Sequence, residues 1–287
     1  MKNLASAAVV KEILSESGFR FSKSLGQNFL IDERVLDAMI DAAAIDKDTN
    51  VLEIGPGFGT LTQRLCAAAK KVVSVEIDDS VIPVLRENTS EFDNLEIVHA
   101  DIMKTDVSEL IKEKFGVGEK VKVAANLPYY ITTPLIMMLL EGGLPIDEIV
   151  IMIQKEVAQR LAAEPGTKEY GAISVAVNFY SVPQLITKVP RSSFIPQPKV
   201  ESAVIALKMR EKPAVEVSDV KRYFTVVKAA FGQRRKTLPN ALANSGAFSK
   251  SKQEITELLS SLGIDANRRG ETLSLDDFAL IADKIYE

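Results

Sequence analysis

Three glycines at alternate positions, Gly55, Gly57 and Gly59, directly follow the apolar run Val51-Leu52-Glu53-Ile54. Glycine there admits positive φ and lets a ligand approach the backbone, at the turn where an α/β sheet binds its ligands. No Gly-Lys-Ser/Thr is present, which excludes a P-loop, and Thr60 stands where a dinucleotide fingerprint wants Gly or Ala. Glu76 ends a second apolar run 21 residues after Gly55, where a carboxylate can accept from both hydroxyls of a ribose. Asp101 closes a third run and is suited to accept from the exocyclic amine of an adenine. An adenosine derivative satisfies all three positions, and a nicotinamide dinucleotide the first two.

A fourth run ends in Asn126-Leu127-Pro128-Tyr129-Tyr130. Asn-Leu-Pro-Tyr resembles the Asn/Asp-Pro-Pro-Tyr signature of methyltransferases that modify amino nitrogens of bases. The lone pair of adenine N6 is delocalised into its ring, so the nitrogen is a poor nucleophile. Accepting both N6–H bonds, with the Asn126 side-chain oxygen and a backbone carbonyl of Leu127 or Pro128, helps localise that pair. Pro128 fixes the turn, and Tyr129 can stack on an unstacked base. The alternative, a strand-ending turn with a core tyrosine, explains none of the flanking motifs.

These residues require strands that end along one edge. Val51–Ile54, Val72–Glu76, Leu95–His99, Val121–Ala125 and Ile149–Ile153 read as short buried strands alternating with helices, which implies a parallel sheet covered on both faces. Helices are expected near Lys155–Ala163 and Gly171–Tyr180, followed by two strand-like runs, Gln184–Val189 and Val200–Lys208, that could form an antiparallel edge. Lys212-Pro213 reads as a linker. Beyond it, Val220, Phe224, Val227 and Phe231 share one helical face, and Ser251 with Glu254 matches a capping box. The expected architecture is a doubly wound, Rossmann-like α/β domain over residues 1–210 and a small all-helical domain over 211–287.

Composition narrows the function further. At 287 residues, with 46% hydrophobic and 26% charged residues, the chain is ordinary globular protein of about two domains. One cysteine, Cys66, and one histidine, His99, exclude a disulfide framework and a Cys- or His-rich metal centre. No apolar run approaches a membrane span and no secretory leader is evident, so a cytoplasmic protein is expected. The net charge is −4, yet residues 1–209 carry −6 and residues 210–287 carry +2. Lys221, Arg222, Lys228, Arg234, Arg235, Lys236, Lys250 and Lys252 fall in one stretch with no acid, and Lys188–Arg210 holds five basic residues against Glu201 alone. Such surfaces bind polyphosphate whatever the total charge, although a charge run is more often a solvated face.

In this order the motifs resemble those of the ribosomal RNA adenine N6-dimethyltransferase family over nearly the whole chain. Phe21-Ser22-Lys23-Ser24-Leu25-Gly26-Gln27-Asn28-Phe29-Leu30 is similar to its N-terminal cofactor motif, Glu53–Gly59 to its glycine turn and Val75–Asp78 to its ribose-binding strand. Phe194–Val204 resembles its second substrate-side motif, and Phe231–Leu238 the opening of its C-terminal domain. The closest resemblance is to the bacterial branch that dimethylates two adjacent adenines in a hairpin loop near the 3′ end of small-subunit (16S) ribosomal RNA. It implies S-adenosylmethionine as cofactor, held by Gln27, Asn28, Leu30, Gly55, Gly57, Glu76, Asp101 and Asn126. Asn126, Leu127, Pro128, Tyr129 and Phe194 would hold the base, and Lys221, Arg222, Lys228, Arg234, Arg235 and Lys236 the RNA. No metal is implied, and the chain is expected to meet the small subunit or its precursor as a monomer. Three rivals stand: the macrolide-resistance relatives that act on large-subunit (23S) RNA, an assembly checkpoint factor working by binding, and a nicotinamide dehydrogenase. The last leaves Asn126–Tyr129 without a role.

Overall fold

The computed structural model describes residues 2–16, 28–128 and 131–287, and these form two compact units. The first comprises Met1–Ala158 and Val182–Met209, the second Gln159–Ser181 and Arg210–Glu287.

Seven strands build the central sheet among the described residues. They are β1 (Asn50–Ile54), β2 (Lys71–Glu76), β3 (Leu95–His99), β4 (Val121–Asn126), β5 (Ile146–Gln154), β6 (Ser181–Val189) and β7 (Ser202–Met209), in spatial order β3-β2-β1-β4-β5-β7-β6. The first five are parallel, so all end at one edge. β7 runs antiparallel to β5, with Ser202 opposite Gln154 and Lys208 opposite Glu148. The last two strands, expected as an edge pair, are indeed neighbours, but the later one lies inside and the earlier one takes the edge. Burial explains the choice: β7 is buried from Ser202 to Leu207, whereas Val182 and Leu185 of β6 are exposed. Val51 and Leu52 point to opposite faces of the sheet and neither is exposed, so both faces are covered.

Helix α1 spans Ala7–Glu16 and α2 spans Glu33–Ala42, the latter capped by Asp32, whose carboxylate accepts from the Arg34 N–H. α3 (Thr60–Ala68) starts on the glycine turn. Leu36 and Met39 of α2 and Leu61 and Leu65 of α3 pack with Val51, Val72, Ala124 and Val150 into one core. α4 (Ile82–Asn88), α5 (Val107–Phe115) and α6 (Thr132–Glu141) follow β2, β3 and β4 in the chain, and α7 (Lys155–Leu161) follows β5. A separate two-stranded ladder joins Phe29–Leu30 to Phe194–Ile195.

The second unit contains α8 (Ala172–Tyr180), α9 (Val220–Gly232), α10 (Leu238–Ala243), α11 (Lys252–Ser261) and α12 (Leu275–Lys284). A boundary at residue 210 therefore captures only part of it, since Gln159–Ser181 also belongs here. The reason is hydrophobic: Tyr170, Val175 and Phe179 share a core with Tyr223, Val226, Val227, Leu259 and Phe278. The segment read as a linker is tied to α8, with Arg210 N–H donating to the Tyr180 carbonyl and Ala214 N–H to that of Phe179, both at 2.9 Å. On α9 the buried stripe centres on Tyr223, Val226, Val227 and Ala230, while Val220 is exposed. The expected capping box of Ser251 with Glu254 forms, and a second joins Ser274 with Asp277. No helix among the described residues is long and apolar enough to cross a membrane.

Phe179 has ring centroids 4.9 Å from Tyr223 and 5.2 Å from Phe224, and is fully buried. Phe179→Ala should therefore cost about 3–5 kcal/mol in urea unfolding, a loss a residue in an ordered linker region would not produce.

Candidate active site

A cavity of about 250 Å³ opens at the carboxyl ends of β1, β2, β3 and β4, the edge where open α/β sheets take ligands. It brings together Asn28, Leu30, Gly55, Gly57, Glu76, Asp101, Asn126, Leu127, Pro128 and Phe194. Residues distant in sequence thus line one space. Gln27 and Tyr129 lie outside the described residues.

Gly55, Gly57 and Gly59 take φ of 70°, 57° and 97°, a region that L side chains rarely adopt. A Cβ on Gly57 would sit 3.1 Å from the Phe29 ring, which itself stacks on Phe58 with centroids 3.9 Å apart. The Gly57 N–H donates to Glu76 Oε2 at 3.1 Å, while Ile77 and Asp78 N–H groups donate to Oε1, both at 2.9 Å. Burial raises the Glu76 carboxyl's proton affinity, and these three N–H donors oppose that rise. With three of roughly four lone-pair positions filled, Oε2 keeps one acceptor site, and Glu76 lines the cavity. Asp101 also has local work: Oδ1 accepts from the Met103 N–H at 3.0 Å and Oδ2 pairs with Lys104 at 3.3 Å. Ile77, Ile102 and Met103 supply apolar walls beside the two acids.

On the other side, Asn126 Nδ2 donates to the Asn28 carbonyl at 3.2 Å, which turns the amide oxygen away from that partner. The Pro128 carbonyl already accepts from the Thr132 hydroxyl at 3.1 Å and the Ile131 N–H at 3.4 Å. The sequence leaves Leu127 and Pro128 as equal candidates for a second acceptor; the Pro128 carbonyl already accepts two bonds, whereas none to the Leu127 carbonyl is found among the described residues. The Phe29–Leu30 ladder with Phe194–Ile195 places Asn28 and Phe194 at one cavity. It is pinned by Ser193, which donates its hydroxyl to Asp32 at 2.9 Å and offers its carbonyl to the Ile31 N–H at 2.8 Å.

Glu53 is the lining residue that motif reading passed over, being named only as part of the glycine-turn match. Its Oε2 accepts from the Thr62 and Ser74 hydroxyls at 2.7 and 2.6 Å, while Oε1 has no hydrogen-bond partner among the described residues. The signal was available, as a lone carboxylate inside a buried apolar strand is costly unless it serves something. Burial pushes its carboxyl up from 4.5 to about 7, and the Glu76 charge adds to the rise. An acid raised in the folded state stabilises the fold fully below 4.5 and loses that contribution as pH climbs through about 7. The swing is about 3 kcal/mol. Glu53→Gln mimics the neutral acid, so it should flatten the stability profile between pH 5 and 8 in urea titrations; an unchanged slope would show that Glu53 is not the titrating group.

In the second unit the predicted basic residues Lys221, Arg222, Lys228, Arg234, Arg235 and Lys236 are all exposed. Arg222 packs its guanidinium over Tyr286, 4.7 Å from the ring centroid. Arg234, also exposed, donates to the Lys168 and Tyr170 carbonyls at 2.8 and 3.2 Å and pairs with Glu271 at 3.4 Å. Among the described residues no group of three or more His, Cys, Asp or Glu could hold a metal ion.

Comparison with known proteins agrees with this geometry. The chain is 49% identical, over its full length and 98% of the relative's, to ribosomal RNA small subunit methyltransferase A of Bacillus licheniformis. It is 48% identical to the protein of that name from Clostridioides difficile, over 99% of this chain and 98% of that one. Among solved structures, a dimethyladenosine transferase from Plasmodium falciparum superposes with a TM-score of 0.73 at 29% identity, covering 88% of this chain and 95% of that one. The 23S rRNA methyltransferase ErmE gives 0.67 at 25%, covering 89% and 98%. The profile of the ribosomal RNA adenine dimethylase family matches residues 18–287, and the chain, with its cavity and its Asn-Leu-Pro-Tyr turn, belongs to that family.

Proposed function

We propose that this protein transfers methyl groups from S-adenosylmethionine to N6 of two adjacent adenines in the hairpin loop near the 3′ end of 16S ribosomal RNA, within the small subunit or its precursor. In this reading it works in the cytoplasm as a monomer. The observation that carries the proposal is the pair of acceptors at one cavity rim: the Asn126 amide, oriented by the Asn28 carbonyl, and the Leu127 carbonyl. The small-subunit substrate is taken from the relatives' names, and it is preferred to the large-subunit one because the bacterial relatives align end to end at almost half identity.

The residues present fit the cofactor. Glycines leave the turn open to a ligand, Oε2 of Glu76 retains one acceptor position for a ribose hydroxyl rather than two, and Asp101 and Ile102 stand where an adenine would lie. When bound, S-adenosylmethionine supplies an electrophilic methyl group. Asn28, Leu30, Gly55, Gly57, Glu76, Asp101 and Asn126 would hold it, with Gln27 beside Asn28 in sequence. Asn126 and Leu127 accept the N6–H bonds and hold the amine in line, while Phe194, with Tyr129, confines the base. No strong base is required, because methylated N6 becomes acidic and sheds its proton readily. Catalysis is then mainly orientation, worth up to about 7–11 kcal/mol in favourable cases. In the second unit, Lys221, Arg222, Lys228, Arg234, Arg235 and Lys236 serve RNA phosphates, and Arg234 also holds the fold through its bonds to the Lys168 and Tyr170 carbonyls.

Transfer of labelled methyl groups to small subunits that lack the modification, followed by nucleoside analysis, tests this directly. N6,N6-dimethyladenosine in small-subunit RNA is expected, and label confined to large-subunit RNA would reassign the enzyme. Asn126→Ala should lower kcat by about 100-fold or more, the scale of losing one preorganised transition-state hydrogen bond, while the variant still binds S-adenosylmethionine. An unchanged kcat would remove Asn126 from the mechanism.

A further inference from the structure

The carboxyl edge of the sheet is divided by charge. Glu76, Asp78 and Asp101 stand at the ends of β2 and β3. Past Asn126, at the ends of β5, β6 and β7, the charges are Lys155, Lys188, Arg191, Lys199 and two acids, Glu156 and Glu201. Strand register places Gln154 opposite Ser202, and the Lys155 N–H donates to the Glu201 carbonyl at 3.0 Å, so these residues converge. Lys155 also pairs with the Glu201 carboxylate at 2.7 Å. That bond, followed by the charges of Lys155, Lys188 and Arg191, holds the Glu201 carboxyl below its ordinary range, which places all three cations around it. Glu201 thus offsets Lys155, and with Glu156 counted the set of four cations and two acids still carries +2. Lys188 and Lys199 are exposed and have no ion pair among the described residues.

The turn that carries this charge is rigidly held. Arg191 donates to the Lys199 carbonyl at 3.3 Å, and the short helical turn Arg191–Ser193 is anchored by the Ser193–Asp32 bond. Three residues after Arg191 comes Phe194, buried and lining the cavity. A cation fixed so close in the chain to a cavity wall suits a polyanion whose base reaches Asn126 while its backbone passes along the rim.

We propose that Lys188, Arg191 and Lys199 form a phosphate-binding rim on the first unit, which grips the RNA backbone flanking the target adenine and presents that base to Asn126. This extends the proposed function, which otherwise assigns RNA contacts to the second unit alone, and it rests on that reading. Phosphate contacts by the rim set substrate affinity without touching cofactor or chemistry, since they carry no information about the base itself.

The test uses the full chain and unmodified small ribosomal subunits. Lys188→Glu, Arg191→Glu and Lys199→Glu together should raise KM for subunits at least about tenfold and lessen the slope of log affinity against log salt by about two to three, near one for each phosphate no longer neutralised. The kcat at saturation and S-adenosylmethionine affinity should hold. Lys208→Glu is the control, because Lys208 is exposed on β7 at the opposite end of the sheet, facing Glu148. Should the triple variant fold poorly, the milder Lys188→Gln, Arg191→Gln, Lys199→Gln protein should show a smaller shift of the same kind. Unchanged KM and salt slope in variants that still bind cofactor would overturn the rim, as would an equal loss with Lys208→Glu. Failure of the unaltered protein to methylate small subunits would instead overturn the function on which it rests.

Discussion

The Glu76 carboxylate is the joint on which the site depends. Parallel strands leave their carboxyl ends unpaired along one edge, and past Gly55, whose N–H still donates to the Val75 carbonyl at 3.0 Å, the glycine turn has no ladder to hold it. The bond from the Gly57 N–H to Glu76 Oε2 ties that turn to the neighbouring strand, and the Ile77 and Asp78 N–H groups keep the carboxylate in place. A buried charge is tolerated only with such partners. The same bonds occupy most of its lone pairs, so the group that shapes the cavity has little capacity left for a ligand. Phe29 and Phe58 stack beside this turn and pack with Leu4, Val10 and Ile13, which joins the N-terminal helix to the same joint.

The split of charge along the sheet edge resolves the conflict between a chain of net charge −4 and a polyanionic partner. At physiological salt a charge is felt over about 8 Å. What a phosphate meets is therefore the local set of side chains, not the sum over the chain. Acids at the ends of β2 and β3 suit hydroxyls and amines, and repel phosphate. Cations at the ends of β5, β6 and β7 do the reverse. Asn126, neutral and between them, can take part in chemistry without biasing either half.

Much of this was legible in residue types and spacing. The buried strands, the glycine turn, Glu76, Asp101 and Asn126 all carry local signals, because burial alternation, positive φ and strand-end acids are short-range properties. What eluded the sequence is long-range. The position of β7 inside β6 depends on which strand buries both faces, and α8 joins the helical unit because Phe179 meets Tyr223 and Phe224. The choice between Leu127 and Pro128 turns on a hydroxyl four residues ahead, on Thr132. Arg234 looked like its neighbours Arg235 and Lys236, but only a folded chain brings the Lys168 and Tyr170 carbonyls to it. Glu53 shows the opposite failure: its signal was local and was absorbed into a motif match.

Two acceptors at the rim also bear on how dimethylation proceeds. An unmodified adenine offers two N6–H donors, which the proposed mode assigns to the Asn126 amide oxygen and the Leu127 carbonyl. Once one methyl is in place a single N–H remains, so one acceptor must go without its partner. Leaving a buried acceptor unsatisfied costs about 1–3 kcal/mol, and the second transfer must meet this cost while keeping the amine aligned. Hydrogen bonds alone cannot do so. The remaining constraint comes from contacts indifferent to methylation, the apolar walls on the base. Phe194, buried on a ladder pinned by Ser193 and Asp32, supplies such a wall without relying on N–H donors. Tight anchoring of the ladder is therefore of greatest value at the second methyl transfer, when the acceptor pair has lost half of its hold.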